Sequence, residues 1–207
     1  MSRRRFENLD PDRQKRLLES AAEEFGAKGF DAASLNRIIE RSGMSKSSLY
    51  YYFDDKADLF TTLLERSLDF VFRQIGGLDM GKMDAETYWS ELEALYGRAF
   101  DVIGRNPWLV GFGRIFYRLR DGSREGAGRG RIFDAARVWV GKLIARGQTL
   151  GVVRTDLPDK LLIDCAMGLL EALDRWGVAH WEEIDRKSWR QTAHLHIDLL
   201  RRLLEPR

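Results

Sequence analysis

Residues 34–56, SLNRIIERSGMSKSSLYYYFDDK, constrain this chain more tightly than any other stretch. They read as two short helices separated by a glycine turn. Ser34 is a good N-cap, because its hydroxyl can accept from a backbone N–H of the first turn, and Leu35, Ile38 and Ile39 supply the apolar stripe of the first helix. Gly43 falls where that helix must end, and glycine takes a left-handed C-cap at no steric cost. Ser45 can cap a second helix in which Leu49 and Phe53, one turn apart, point inward. Lys46, Ser47, Ser48 and Tyr51 are then left outside. Short hydroxyls and a lysine at a helix start suit base edges and phosphates, and a hydrophobic core does not need them. The spacing alone fits a helix-turn-helix DNA reader, whose second helix enters the major groove N-terminus first. It also fits an ordinary helical hairpin with a polar surface.

The remainder of the chain predicts an all-α protein of about nine helices. Asp10 as N-cap and Pro11 at the first helical position open a helix over residues 11–27. Asp54 or Asp55 caps a fourth helix to about residue 72, with Leu59, Phe60, Leu63, Leu64, Leu68 and Phe72 at helical spacing. Further helices are expected over residues 85–104, 107–119, 132–150, 159–178 and 184–204, with Asn106-Pro107 as a turn. Residues 121–130, DGSREGAGRG, read as a loop; their glycines lack the preceding strand and spacing of a phosphate cradle.

Composition excludes several classes. No window stays apolar for the roughly 18 residues of a membrane span, and Arg3-Arg4-Arg5 leads into no apolar signal core, so a cytoplasmic protein is expected. The single cysteine, Cys165, excludes an internal disulfide and is expected to be a buried thiol. The net charge of +2 argues against a nonspecific coat for nucleic acid, so any DNA affinity depends on where charge is placed. The Arg3-Arg4-Arg5 arm either reaches a groove or phosphate or is a solvated tail. His180, His194 and His196 are the only histidines, and the last two point to different helix faces, so no metal site is expected. No nucleophile elbow, Walker loop or paired-carboxylate motif is present, and neither catalytic residues nor a cofactor are expected.

Residues 11–60 closely resemble the N-terminal domain of the tetracycline-repressor (TetR) family of bacterial transcriptional regulators. The resemblance rests on Leu18, Ala21, Ala22 and Phe25, closed by Gly29 and Phe30, then Ser34, Leu35 and Ile38. Gly43-Met44-Ser45 and Leu49-Tyr50-Tyr51-Tyr52-Phe53 follow, with Lys56, Leu59 and Phe60. Arg37, Ile39, Ser42 and Tyr52 depart from residue types frequent in the family. The resemblance implies a three-helix DNA-binding domain over residues 1–56, a fourth helix linking from 56 to about 75, and a ligand-binding and dimerisation domain over 76–207. It implies a regulator, most simply a repressor, released from a palindromic operator in double-stranded DNA by a small hydrophobic ligand. Lys46 and Ser47 match positions that approach bases, and Ser34, Tyr51, Tyr52 and Lys56 match positions that hold phosphates. Arg37, Ser45, Ser48 and Tyr50 complete the expected DNA-binding set.

The larger region carries two further expectations. Trp89, Tyr96, Phe100, Trp108, Phe112, Phe116, Trp139 and Met167 are the expected lining of a ligand pocket, since cavities between helices are lined by bulky apolar side chains. Singly, each such ring also reads as ordinary core. Asp164 or Glu171 either faces a cationic group or is a solvated helix residue. The last two helices are apolar over a wide arc, through Leu161, Leu162, Ala166, Leu169, Leu170 and Leu173 and through Leu195, Ile197, Leu199, Leu200, Leu203 and Leu204. A helix apolar over so wide an arc must be covered on two sides. Ala166, Leu169, Leu170, Leu173, Ile197, Leu200 and Leu204 are the expected interface of a homodimer, because a two-fold protein matches a palindromic site.

Overall fold

The computed structural model describes residues 6–119, 127–185 and 188–206. Among them are nine α-helices and no strand: α1 (Pro11–Ala32), α2 (Leu35–Ser42), α3 (Lys46–Tyr52), α4 (Lys56–Ile75), α5 (Tyr88–Arg105), α6 (Trp108–Phe116), α7 (Ala127–Thr149), α8 (Asp159–Ala179) and α9 (Trp189–Leu204). None is long and apolar enough to cross a membrane. The described residues form two compact units. One is drawn from Met1–Phe70 and Asn106–Arg131, the other from Val71–Arg105 and Ile132–Arg207.

Local caps fix the first unit. Asp10 accepts from the N–H of Arg13 at 3.1 Å, with Pro11 behind it, and so starts α1. The helical span reaches Ala32 rather than residue 27, with a break at Gly29, whose φ of 75° suits glycine. Ser34 caps α2, and Gly43, at φ 69°, ends it by donating to the Glu40 carbonyl. Ser45 caps α3. Asp55, not Asp54, starts α4 by accepting from the N–H of Asp58 at 2.9 Å.

The helices bury one apolar face each. Leu17, Ala21 and Phe25 from α1 are buried, as are Ile38, Leu49 and Phe53 and, from α4, Leu59, Phe60, Leu63 and Leu64. The Phe25 and Phe60 rings meet edge to face at 4.9 Å. Each leucine, isoleucine or phenylalanine side chain among them contributes about 1.5–3 kcal/mol when fully buried. Phe6, just before α1, is also fully buried, against the Phe53 ring at 5.1 Å.

The units divide the chain differently from the boundaries expected at residues 56 and 76, because α6 belongs with the helix-turn-helix. Gly26 and Gly111 make this possible: a Cβ on Gly26 would stand 3.7 Å from the Gly111 Cα, so the α1 and α6 backbones approach closely. Phe112 then packs on Phe60, with ring centroids 6.0 Å apart. The start of α7 is in the same unit and lies five residues before the expected position. A Cβ on Gly128 would meet Thr61 at 3.1 Å, and Arg131 pairs with Glu65 at 2.9 Å. Tertiary packing here outweighs the poor helix propensity of glycine. The rest of the expected loop, residues 121–126, lies outside the described residues.

The second unit is built on Tyr88. Its ring is fully buried and its hydroxyl donates to the Leu143 carbonyl at 3.0 Å. Burial raises its pKa far above the phenol range. Around it lie Leu92, Val140, Leu143, Ile144, Val153, Leu162, Ala166, Met167, Ile197, Leu200 and Leu204. Helix α5 starts at Tyr88 rather than 85 because the Asp84 carboxylate accepts from Glu86 N, Thr87 N and the Thr87 hydroxyl. Those bonds hold its pKa below the usual carboxylate value. Helix α9 starts at Trp189 rather than 184, since Glu183 N and Ile184 N both turn back to the His180 carbonyl.

Candidate nucleic-acid interface

The α2–α3 pair presents one anchored face and one polar face. Ile38 and Leu49 are buried, which fixes both helices on the core. At the start of α3 the Ser45 hydroxyl accepts from Ser48 N at 3.1 Å and lies 3.0 Å from the Ser47 hydroxyl and 2.8 Å from that of Ser48. Lys46 and Ser47 are exposed beside this cluster. Tyr50 and Tyr51 stand 49% and 56% exposed, too open for core residues of their size. Tyr52 is half-buried, against Phe6 at 6.1 Å and Tyr51 at 5.0 Å. The resulting surface offers hydroxyls, one lysine and phenol edges from one short helix, a donor and acceptor set that fits base edges and phosphates.

Two members of the expected set are held from inside the domain. The Lys56 ammonium donates to the Asp31 carbonyl at 2.9 Å and the Ala33 carbonyl at 3.2 Å, and lies 4.9 Å from the centre of the Phe30 ring. Its reach toward solvent is therefore limited. Arg37 is exposed, but its guanidinium lies 3.6 Å from the carboxylate of the buried Glu24. Sequence reasoning placed Glu24 only among the acidic residues of α1. The signal was present: it stands seven residues after Leu17 and three after Ala21, in the buried register. Arg3, Arg4 and Arg5 lie outside the described residues.

The expected pocket lining falls into both units. Trp108, Phe112 and Phe116 belong to the first, where Trp108 meets Phe70 at 6.0 Å and Phe112 and Phe116 are buried. Trp89, Tyr96, Phe100 and Met167 belong to the second. There Trp89 meets Tyr88 at 4.9 Å, and Met167 is buried. Tyr96, Phe100 and Trp176 surround the ring of His196, at 6.1, 5.8 and 6.5 Å. His196 is buried and its Nδ1 has no hydrogen-bond partner among the described residues; burial lowers its pKa. Trp139, expected in the lining, is at the surface. Asp164 and Glu171 pair with Arg137 and Arg175. No group of three metal-ligating side chains occurs among the described residues.

The wide apolar arc of α8 and α9 is real, and the structure shows which half the chain itself covers. Ala166, Ile197, Leu200 and Leu204, expected at a dimer interface, are buried in the second unit's own core. Leu169, Leu170 and Leu173 are partly buried. The uncovered half is a different set: Leu161, Cys165, Gly168, Ala172 and Trp176 on α8, with Leu195 and Leu199 on α9. Cys165 is thus exposed rather than buried, in helical register with the open Leu161, Gly168 and Ala172.

The fold and this polar helix define a helical protein with an N-terminal helix-turn-helix. The model of the bacterial regulatory proteins of the tetR family matches residues 17–63, the segment that holds the helix-turn-helix. Over 96 residues it is 29% identical to the uncharacterized HTH-type transcriptional regulator YvdT of Bacillus subtilis, covering 46% of this chain and 48% of that protein. The alignment thus spans about half of that relative's length. The fold extends over nearly the whole chain. The transcriptional regulator FadR of Bacillus subtilis, solved in complex with stearoyl-CoA, superposes with a TM-score of 0.73 at 16% identity, covering 90% of this chain and 96% of that one. SmeT, the repressor of the Stenotrophomonas maltophilia multidrug efflux pump SmeDEF, gives 0.70 at 18%, covering 94% and 92%.

Proposed function

We propose that this chain is a sequence-specific, DNA-binding transcriptional repressor. It acts as a homodimer on a palindromic operator and is released by a small hydrophobic ligand. The observation that carries the DNA reading is the face of α3, where Ser45, Lys46, Ser47, Tyr50 and Tyr51 are open while Leu49 anchors the helix. Ser34, Arg37, Ser48, Tyr52 and Lys56 flank it and complete the surface. Two such helices about 34 Å apart enter successive major grooves, and this requires a two-fold dimer. The uncovered apolar stripe of α8 and α9 supports that dimer, since a stripe of this length is otherwise a standing aggregation hazard.

Support for a ligand is of a different kind. The second unit collects Tyr96, Phe100 and Trp176 around the ring of His196, whose buried Nδ1 has no partner among the described residues, an arrangement costly to leave unsatisfied. Trp89 and Met167 lie in the adjoining core. Similar folds are known with stearoyl-CoA bound. A ligand binding the release-competent state more tightly would shift the dimer by about 1–3 kcal/mol, the ordinary range of coupling. Fluorescence anisotropy of a labelled duplex tests the DNA reading. Affinity should fall steeply and linearly on a logarithmic salt axis. Salt-independent or absent binding would favour a protein-binding adaptor instead.

A further inference from the structure

Glu24 is the most deeply buried charged side chain of the first unit, at 1% exposure. Its Oε1 accepts from the backbone N–H of Ser34 at 3.1 Å and lies 3.6 Å from Arg37 Nη1. Its Oε2 lies 3.8 Å from Arg41 Nη1, which is also 3.8 Å from Glu23. Helix α2 has no acidic residue in its own first turn. The carboxylate therefore comes from α1 to the N-terminal end of α2, where a cation such as Arg37 is otherwise disfavoured by the helix dipole. These are the same groups, the Ser34 cap and the Arg37 guanidinium, that a DNA phosphate would seek at this helix end.

We propose that Glu24 is an internal counter-anion that holds down the affinity of the helix-turn-helix for the DNA backbone, by keeping Arg37 and Arg41 on a protein carboxylate. The inference rests on the DNA-binding reading above. A buried carboxylate with two arginines is satisfied in the free protein; a phosphate approaching the same arginines must share them and is repelled by the residual negative charge. Glu24 is thus a positioning residue that sets how many phosphates the domain neutralises, and it acts on all sequences alike. Specificity then falls to the Lys46–Ser47 end of α3, which is unaffected. Restraint of this kind favours discrimination, because nonspecific binding is almost wholly electrostatic.

The test compares wild type, Glu24→Gln, Arg37→Gln and the double variant on a random-sequence duplex, across salt from about 50 to 200 mM. Glutamine keeps the acceptor for Ser34 N–H and removes the charge. Glu24→Gln should bind several-fold tighter, with a slope steeper by about 0.9 for each phosphate gained. Arg37→Gln should flatten the slope by less than one phosphate in the wild-type background, because Glu24 already occupies part of the guanidinium, and in the double variant it should cancel most of the gain. A folded Glu24→Gln protein with the wild-type slope would overturn the proposal. So would an Arg37→Gln variant that alone flattens the slope by a full phosphate, and that exposed substitution serves even if Glu24→Gln fails to fold. Wild-type protein that binds no duplex would instead refute the DNA-binding reading itself.

Discussion

The ammonium of Lys56, at the first position of α4, donates to the main-chain carbonyl of Asp31 at 2.9 Å, near the end of α1. A second bond to the Ala33 carbonyl at 3.2 Å closes the connection into α2. Lys56 therefore ties three helices of the reading domain together before any DNA is present. The ammonium thus serves the fold as well as any phosphate it meets. Lys56→Met should cost about 1 kcal/mol, discounted for partial exposure, and lower the melting temperature by about 2–4 °C. Calorimetry checks this. Unchanged melting with a flattened salt slope would return Lys56 to a purely phosphate-holding role.

Lys46 and Ser47 should separate by their effects. Lys46→Ala is expected to weaken binding to a selected duplex more than to a scrambled one and, because it removes a charge, also to reduce the salt slope by about 1. Ser47→Ala should leave the slope alone and alter sequence preference, because its hydroxyl lies on the exposed start of α3 beside the Ser45 cap. Parallel titrations on a selected and a scrambled duplex distinguish the two. Equal losses on both duplexes for Ser47→Ala would remove it from base reading.

The dimer prediction turns on neighbouring leucines. Leu199 is 44% exposed and Leu200 is 4% exposed, about 100° apart around α9. Leu199→Glu should give a folded monomer by sedimentation, with operator affinity lost. Leu200→Glu should instead destabilise the second unit, because it buries an unpaired charge, at a cost of several kcal/mol. A Leu199→Glu protein that stays dimeric would place the interface elsewhere.

The helix-turn-helix was legible in the sequence because its signals are local. Ser34, Gly43 and Ser45 declare caps through their own side chains or backbone freedom, and Leu49 and Phe53 keep helical period. The inner and outer halves of α8 and α9 were not legible, since both are leucine-rich and periodicity cannot say which half the chain covers. Only the packing of Leu200 and Leu204 against the Tyr88 core resolves it. The placement of α6 escaped for a similar reason. Its partner in the fold is Gly26, eighty-five positions earlier than Gly111, and a glycine contact leaves no hydrophobic signature. Glu24 was hidden by its own charge.

Acid should weaken the fold through His196. Burial lowers its pKa below the ordinary 6.5, so the folded state resists a proton that the unfolded chain accepts. Stability is then fully present above about pH 6.5 and is lost as pH falls toward the depressed folded value. The exposed His194, raised by Glu93, acts with the opposite sign and is screened by solvent. In denaturation curves taken as pH falls below about 6.5, the stability of wild type should decline relative to that of His196→Leu. Parallel curves would show that His196 does not titrate with unfolding.

Selection from a random-sequence duplex library by the purified protein, followed by sequencing of the retained fragments, tests the central claim most directly. The account predicts an enriched inverted repeat whose half-sites lie about one helical turn apart, lost when Lys46 and Ser47 are both replaced by alanine. Retained fragments with no common motif, or an enrichment indifferent to that double replacement, would contradict it.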